Sequence, residues 1–166
     1  MNININKVVG LFSRALGVIL LLMVALNAAN AIGRYFFDRA IEGADEVLVY
    51  SMIWLVFLGA VLVTQKDKHL RFDLLERILK AYRVRRVLFL VYNGITFFVV
   101  TFVVFQSVQV VEKIGKVGQK SMALEIPMVI PHSAVLIGLL LIGGIAGVRV
   151  TSGLIEEFKL IFRRER

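Results

Sequence analysis

Five polar residues capable of hydrogen bonding or ion binding lie in or beside apolar parts of the chain. Asn27, Asn30 and Arg34 are spaced by three and four positions, so a helix places them on one face. Asp45 and Glu46 stand at the start of the next apolar run. Polar groups are costly in lipid. The face with the two asparagines therefore lines a polar site, contacts a partner helix or bonds within its own bundle, and the sequence leaves these three interpretations open.

The acidic pair has a structural and a functional interpretation. Carboxylates stabilise the first turn of a helix, and Arg34 ends the preceding apolar run at the same membrane level. We therefore expect an ion pair between Arg34 and Asp45 or Glu46. The functional alternative is a site for a coupling ion or a substrate.

Groups for catalysis or cofactor binding are scarce. The chain has no cysteine, and its two histidines, His69 and His132, fall on opposite sides of the membrane in a four-span topology. They are then too far apart to ligate one haem. The sequence has no nucleophile paired with a base, no metal-ligand cluster and no phosphate-binding glycine loop. We expect no enzyme activity, no cofactor and no metal.

The composition indicates that these residues are positioned by helices in a membrane. Of 166 residues, 58% are hydrophobic and 19% charged, with a mean hydropathy of +0.81. A spanning helix needs roughly 20 apolar residues. Four segments meet that length, at about 8–32, 47–65, 87–111 and 126–148. We predict an all-α integral membrane protein, a single membrane domain over residues 1–166, whose first segment is too long for a signal peptide.

The distribution of basic residues predicts the orientation. Two Lys or Arg lie near the N-terminus, eight between Lys66 and Arg86 and five from Arg149 onward, against five in the two opposite loops. Basic loops stay in the cytoplasm, so both termini are predicted inside. The charge of +8 sits at the ends of apolar segments. This pattern argues against a nucleic-acid partner.

The basic segment between the second and third spans has apolar residues at helical spacing. This pattern predicts an amphipathic helix at about 69–82 on the inner leaflet, with Arg77, Lys80 and Arg83 on lipid head groups. A basic, partly ordered loop is the alternative.

Small and aromatic residues within the spans are candidates for helix packing. Trp54 lies a third of the way along the second span, away from the interface that tryptophan prefers. Gly59, Gly138, Gly143 and Gly147 allow close approach of helices, and the last two have GxxxG spacing. Together with the polar face of the first span, these residues are candidate contacts with a partner subunit.

Several short motifs occur in the order and spacing of one transporter family. The motifs are Asn30 with RYFF at 34–37, DE at 45–46, WLVFLGA at 54–60, HLRFD at 69–73 and ALEIP at 123–127. From about residue 27 to 149 the chain resembles the small membrane subunit (Q subunit, small permease) of tripartite ATP-independent periplasmic (TRAP) transporters. It departs from the family at 43–44, where glycine and alanine replace a frequent tryptophan, and at 128–129, where an aromatic residue is usual.

The resemblance implies a multi-pass protein of the bacterial inner membrane. Its partners would be a large multi-span M subunit, which carries sodium and an organic anion of the C4-dicarboxylate or sialic acid class, and a periplasmic substrate-binding protein. The small subunit would be an immobile scaffold. Arg34, Asp45 and Glu46 are then candidate contacts with the binding protein.

The inner-surface motif His69, Arg71 and Asp73 has two interpretations. It fixes the surface helix against the partner or lipid, or it forms a helix cap. Two other functions stay open for the whole chain. One is a membrane anchor for a respiratory or signalling enzyme, and the other is a homo-oligomeric carrier that uses the face with Asn27, Asn30 and Arg34.

Overall fold

The computed structural model of the chain describes residues 5–65 and 82–164 and contains four long helices in those ranges. They are α1 (Ile5–Phe37), α2 (Ala44–Gln65), α3 (Tyr82–Val117) and α4 (Val129–Arg164). Each is long and apolar enough to cross a membrane. The prediction of an all-helical protein with four spans is confirmed. The surface helix predicted at 69–82 lies outside the described residues except at Tyr82, which opens α3.

All four helices are longer than the apolar segments that identified them, and three of them are longer by two turns or more. At about 1.5 Å per residue, α2 is about 33 Å long, whereas the other three are about 50 to 54 Å, against roughly 30 Å of hydrocarbon. The extra turns of α3 continue through polar sequence, where Glu112 and Lys116 form an i,i+4 ion pair at 2.6 Å. The long helices therefore tilt or project beyond the hydrocarbon.

The start of α4 differs slightly from the expected span. The helix begins at Val129 and not at residue 126, because Pro127 is held outside it in an antiparallel bridge with Lys120. Pro131 lies in the first turn and is buried. A proline there removes no helical hydrogen bond.

The helices follow one another in space in the order α1, α2, α4, α3. The contact of α3 with α4 is the most extensive, followed by α2 with α4 and α1 with α2. Glycines of α4 permit these approaches. A Cβ at Gly143 would lie 3.2 Å from Val100 of α3, and one at Gly147 would lie 3.0 Å from the Phe97 ring. Close packing of this kind holds helices together in lipid.

Two short connections, residues 38–43 and 118–128, lie at one end of the bundle, called here the loop end. The second connection follows a C-cap on α3. Gly118, with a φ of 66°, donates to Gly115 O at 3.2 Å, and Gln119 N–H donates to Ile114 O at 3.3 Å. Glycine is suited to this left-handed position. The chain therefore leaves α3 sharply and turns back over the loop end.

Candidate functional site

Asn30 joins α1, the following loop and α2 at the loop end. Its side chain is 4% exposed. The carbonyl Oδ1 accepts from the backbone N–H of Ile41 at 2.8 Å, and Nδ2 donates to Asp45 Oδ1 at 3.3 Å. A buried amide is stable only when such partners are present. Asn30 is therefore bonded within the chain. This agrees with the interpretation that the polar face of the first span bonds within its own bundle.

Glu46 connects the first turn of α2 to the connection between α3 and α4. Its Oε1 accepts from Ala123 N–H at 2.8 Å, and its Oε2 accepts from Leu124 N–H at 3.0 Å. Both carboxylate oxygens are thus used by backbone donors 77 and 78 positions away. Hydrogen bonds to a charged acceptor are stronger than neutral ones. The carboxylate therefore clamps two distant parts of the chain.

The connection that Glu46 binds, residues 118–128, is a small hairpin, called here the hairpin loop. Ser121 N–H donates to Ile126 O at 2.9 Å, and Met128 N–H donates to Gln119 O at 2.9 Å. The Ser121 hydroxyl accepts from Ile126 N–H at 3.0 Å. Met122, near the turn, is fully exposed. The hairpin loop is held at its base and presents its tip to the surroundings.

Gly43 provides a second contact with the hairpin loop. The residue has a φ of 74°, and a Cβ built on it would overlap the side chain of Leu124. A larger side chain at position 43 would therefore not fit against the present hairpin loop.

The expected ion pair of Arg34 is not formed among the described residues. Asp45 is bonded by Asn30, and Glu46 is bonded by the backbone of the hairpin loop. Arg34 is exposed, with its guanidinium carbon 5.4 Å from the centroid of the Tyr35 ring. Uncharged donors occupy both oxygens of Glu46 and one oxygen of Asp45 in place of the guanidinium.

Asn27 differs from Asn30 although it lies one turn away on the same helix. Its side chain is exposed and makes no hydrogen bond to any residue that the structure describes. It faces a groove of about 390 Å³ between α1 and α2. The groove is lined by Leu20, Met23, Val24, Asn27, Asp45, Leu48, Val49 and Met52.

Most of the candidate interface glycines are used inside the chain. A Cβ at Gly138 would lie 2.7 Å from Phe57 Cβ of α2. Gly143 and Gly147 face α3, so these three glycines pack this bundle and are not free for a partner. Gly59 has open space around the position of a Cβ, and Trp54 is partly exposed. Those two residues are still candidates for an outside contact.

Arg149 bonds two helices at the other end of the bundle. The sequence predicted only a basic residue on the cytoplasmic side and not this role. From α4 it donates through Nη2 to Thr64 O at 2.7 Å and to Gln65 O at 3.3 Å. Thr64 and Gln65 are the last two described residues of α2. A cation at the negative end of a helix is favourable. The α2–α4 pair is thereby bonded near both of its ends.

The other predicted residues are placed as follows. His69, Arg71, Asp73, Arg77 and Lys80 lie outside the described residues, and Arg83 is in the first turn of α3. His132 Nδ1 lies 2.8 Å from Met128 O, as expected of a structural histidine. Within 5–65 and 82–164, no group of three His, Asp or Glu side chains is arranged to hold a metal ion.

The polar groups of the loop end thus join parts of the chain to one another. Asn30 and Glu46 bond to backbone or side-chain groups of this chain, and Asn27 and Arg34 are left facing outward. Such an arrangement holds helices in place and offers a polar surface to another molecule. It does not assemble a reacting centre from the residues described.

Comparisons with known proteins identify similar chains. The model of a family described as the DctQ component of tripartite ATP-independent periplasmic transporters matches residues 7–155. A Haemophilus influenzae protein named as a TRAP transporter small permease protein is 43% identical over 51 residues. That match covers 31% of this chain and 32% of the relative's length.

Proposed function

Because the chain belongs to the family of DctQ components of TRAP transporters, we propose that it is the small scaffold subunit of a sodium-coupled transporter for organic anions. It is a multi-pass protein of the bacterial inner membrane. Its proposed partners are a large multi-span M subunit and a periplasmic substrate-binding protein. The family match over residues 7–155 is the observation that carries the proposal.

The use of the polar groups supports a static role. No Asp or Glu lies within the apolar segments 8–32, 47–65, 87–111 or 126–148. A carrier with its own proton- or cation-coupled site ordinarily places such groups within its spans. Glu46, at the start of α2, is engaged by Ala123 and Leu124, and Asn30 is engaged by Ile41 and Asp45. The hydrogen-bonding capacity of these groups is used to stabilise the fold and not to bind a substrate.

The bracing of the α2–α4 pair supports the same role. Glu46 links α2 to the hairpin loop before α4, and Arg149 links α4 to the end of α2. Between them, Gly138 lets the two backbones approach. An interior packed this closely has low compressibility and transmits strain. A subunit that holds part of a moving transporter in place benefits from such stiffness.

We place the loop end in the periplasm, following the distribution of basic residues. The exposed tip of the hairpin loop at Met122 and the exposed Arg34 would then be open to the substrate-binding protein. On the opposite side, His69, Arg71 and Asp73 would contact the partner or lipid, and Arg77, Lys80 and Arg83 would contact lipid head groups. The substrate, of the C4-dicarboxylate or sialic acid class, would be chosen by the other two proteins.

Co-purification followed by transport tests the proposal. The tagged chain is expressed together with its neighbouring genes and extracted in a mild detergent. The proteins that stay bound to it are then identified. A large multi-span partner is expected. Proteoliposomes with both subunits and the binding protein should take up the anion in a sodium gradient, and those with this chain alone should not. Uptake by the chain alone, or a soluble enzyme as the sole partner, would contradict the proposal.

A further inference from the structure

We propose that the groove between α1 and α2 receives a transmembrane helix of the large partner subunit. That helix carries a hydrogen-bonding side chain at the level of Asn27 and a lysine or arginine at the level of Asp45. The inference rests on the proposed function, which supplies the partner. It adds the face on which this subunit docks and the chemistry of the helix that it binds.

The first observation is the state of Asn27. The amide has two N–H donors and a carbonyl acceptor, and the described residues satisfy none of them. It lies seven positions before Arg34, about 10 Å deeper in the span at 1.5 Å per residue. Lipid chains at that depth offer no hydrogen bond. A side chain on a neighbouring helix does, and polar side chains are known to join helices in this way.

The second observation is the charge at the mouth of the groove. Asp45 is exposed, and among the described side chains it is bonded by Asn30, which donates to one oxygen at 3.3 Å. The other carboxylate oxygen is open to a second donor. The remaining residues of the groove are leucine, methionine and valine apart from Asn27. A helix with one cation above an amide or hydroxyl, and apolar residues elsewhere, complements this pattern.

The third observation is that the groove continues as a stripe along α2. Asp45, Val49, Met52, Val56 and Gly59 recur at i, i+4, i+7, i+11 and i+14, which is one helical face. The first four are exposed, and open space surrounds the position of a Cβ at Gly59. From Val49 to Gly59 the stripe therefore presents about three turns of apolar surface and ends on a small residue, which suits a helix laid along it.

Cross-linking from single cysteines tests the docking face in the full complex. The chain has no cysteine, so each introduced thiol is unique. Val49→Cys and Val24→Cys place a benzophenone maleimide in the groove, where the native side chains are 54% and 59% exposed. Val18→Cys and Leu22→Cys are matched controls on the opposite side of α1, at 56% and 64% exposure. Adducts with the large subunit are expected from the groove positions and not from the controls.

Substitution of the two polar residues tests the chemistry of the occupant. Asn27→Leu should lower recovery of the complex about threefold, the size of an average interhelical hydrogen bond in membranes, and leave the melting temperature of the isolated chain unchanged. Asp45→Asn should also lower recovery. If the face meets lipid, Asn27→Leu will leave recovery unchanged and groove positions will give lipid adducts only. Dimers of this chain, or adducts from the controls alone, would likewise overturn the inference.

The two proposals fail in different ways. If no large multi-span partner co-purifies with the unaltered chain, the proposed function fails, and the docking inference, which requires that partner, is overturned with it. If the partner co-purifies and carries sodium-driven uptake, but its adducts come from the control side, only the docking face is wrong.

Discussion

Glu46 in the first turn of α2 and Leu124 in the hairpin loop are joined by a hydrogen bond of 3.0 Å across 78 positions of the chain. Ala123 donates to the other oxygen of the same carboxylate at 2.8 Å. Two backbone donors on one carboxylate fix both the position and the orientation of the hairpin loop. The loop end is therefore one connected unit formed from residues of three helices and two connections.

Glu46→Gln should loosen the hairpin loop, because glutamine keeps one acceptor oxygen and turns an amide group towards the second backbone donor. Faster hydrogen–deuterium exchange is expected at residues 123 and 124, with a lower melting temperature. Glu42→Gln, an exposed position in the preceding connection, is the matched control. Equal exchange in the two variants would argue against the clamp.

Asn30→Leu should destabilise the chain by about 1–3 kcal/mol, because it leaves Ile41 N–H without its acceptor and Asp45 without its donor. Asn27→Leu, one turn away, removes no hydrogen bond among the described residues and should leave the stability of the isolated chain unchanged. Denaturant unfolding in detergent, followed by the fluorescence of the single tryptophan, measures both. A similar loss in the two variants would contradict the distinct roles of the asparagines.

Gly138→Ala should weaken the α2–α4 contact by roughly 1–3 kcal/mol, because the new methyl group would lie 2.7 Å from Phe57 Cβ and 3.3 Å from Phe57 O. Gly144→Ala is the control, since nothing lies within 4 Å of a Cβ there. Alanine is also the better helix former, so that variant should match or exceed the stability of the parent. The same unfolding assay separates the two outcomes, and tolerance of both substitutions would refute close packing at Gly138.

Arg149→Gln should cost about 1–3 kcal/mol, because the end of α2 loses a charged donor to Thr64 O and Gln65 O. Arg149→Lys should recover part of the loss, since one ammonium replaces the fork of the guanidinium. Lys113→Gln, at an exposed site on α3, removes the same charge where the side chain bonds to none of the residues that the structure describes, and it should be neutral. If the lysine variant were no better than the glutamine variant, charge at this end of α2 would have no part in the stability.

Single cysteines also test the orientation. Met122→Cys lies at the fully exposed position of the hairpin loop and should react with a membrane-impermeant maleimide in intact cells whose outer membrane admits the reagent. Lys68→Cys, between the second and third spans, should react only after the inner membrane is opened. The reverse pattern would place both termini outside.

Hydropathy predicted the number of helices because four apolar runs of roughly 20 residues have few soluble alternatives. It did not predict how far the helices continue, since α3 and α4 extend through polar turns such as Glu112 to Lys116 that have no hydropathy signal. The start of α4 was misplaced by three residues because a proline near a helix start fits both inside and just before the first turn.

The sequence identified the residues of the candidate site but not their hydrogen-bond partners. Asn30, Asp45 and Glu46 were identified because polar groups in spans are rare, yet the nearest opposite charge, Arg34, was taken as the partner. The actual donors are backbone N–H groups at 123 and 124, which every residue type provides and no sequence pattern marks. Arg149 was missed for a related reason, since its acceptors are carbonyls 84 and 85 positions away.

The order of the helices in space also has a consequence for biosynthesis. Because α2 is paired with α4 and not with α3, the second span inserts before its main packing partner has been translated. At 5–20 residues per second, the 78 positions between Glu46 and Leu124 correspond to about 4–16 s. Until then the nascent hairpin of α1 and α2 is held at its tip by Asn30. A substitution that removes the hydrogen bonds of Asn30 would thus act during insertion, when the membrane insertase and quality-control proteases still have access to the chain.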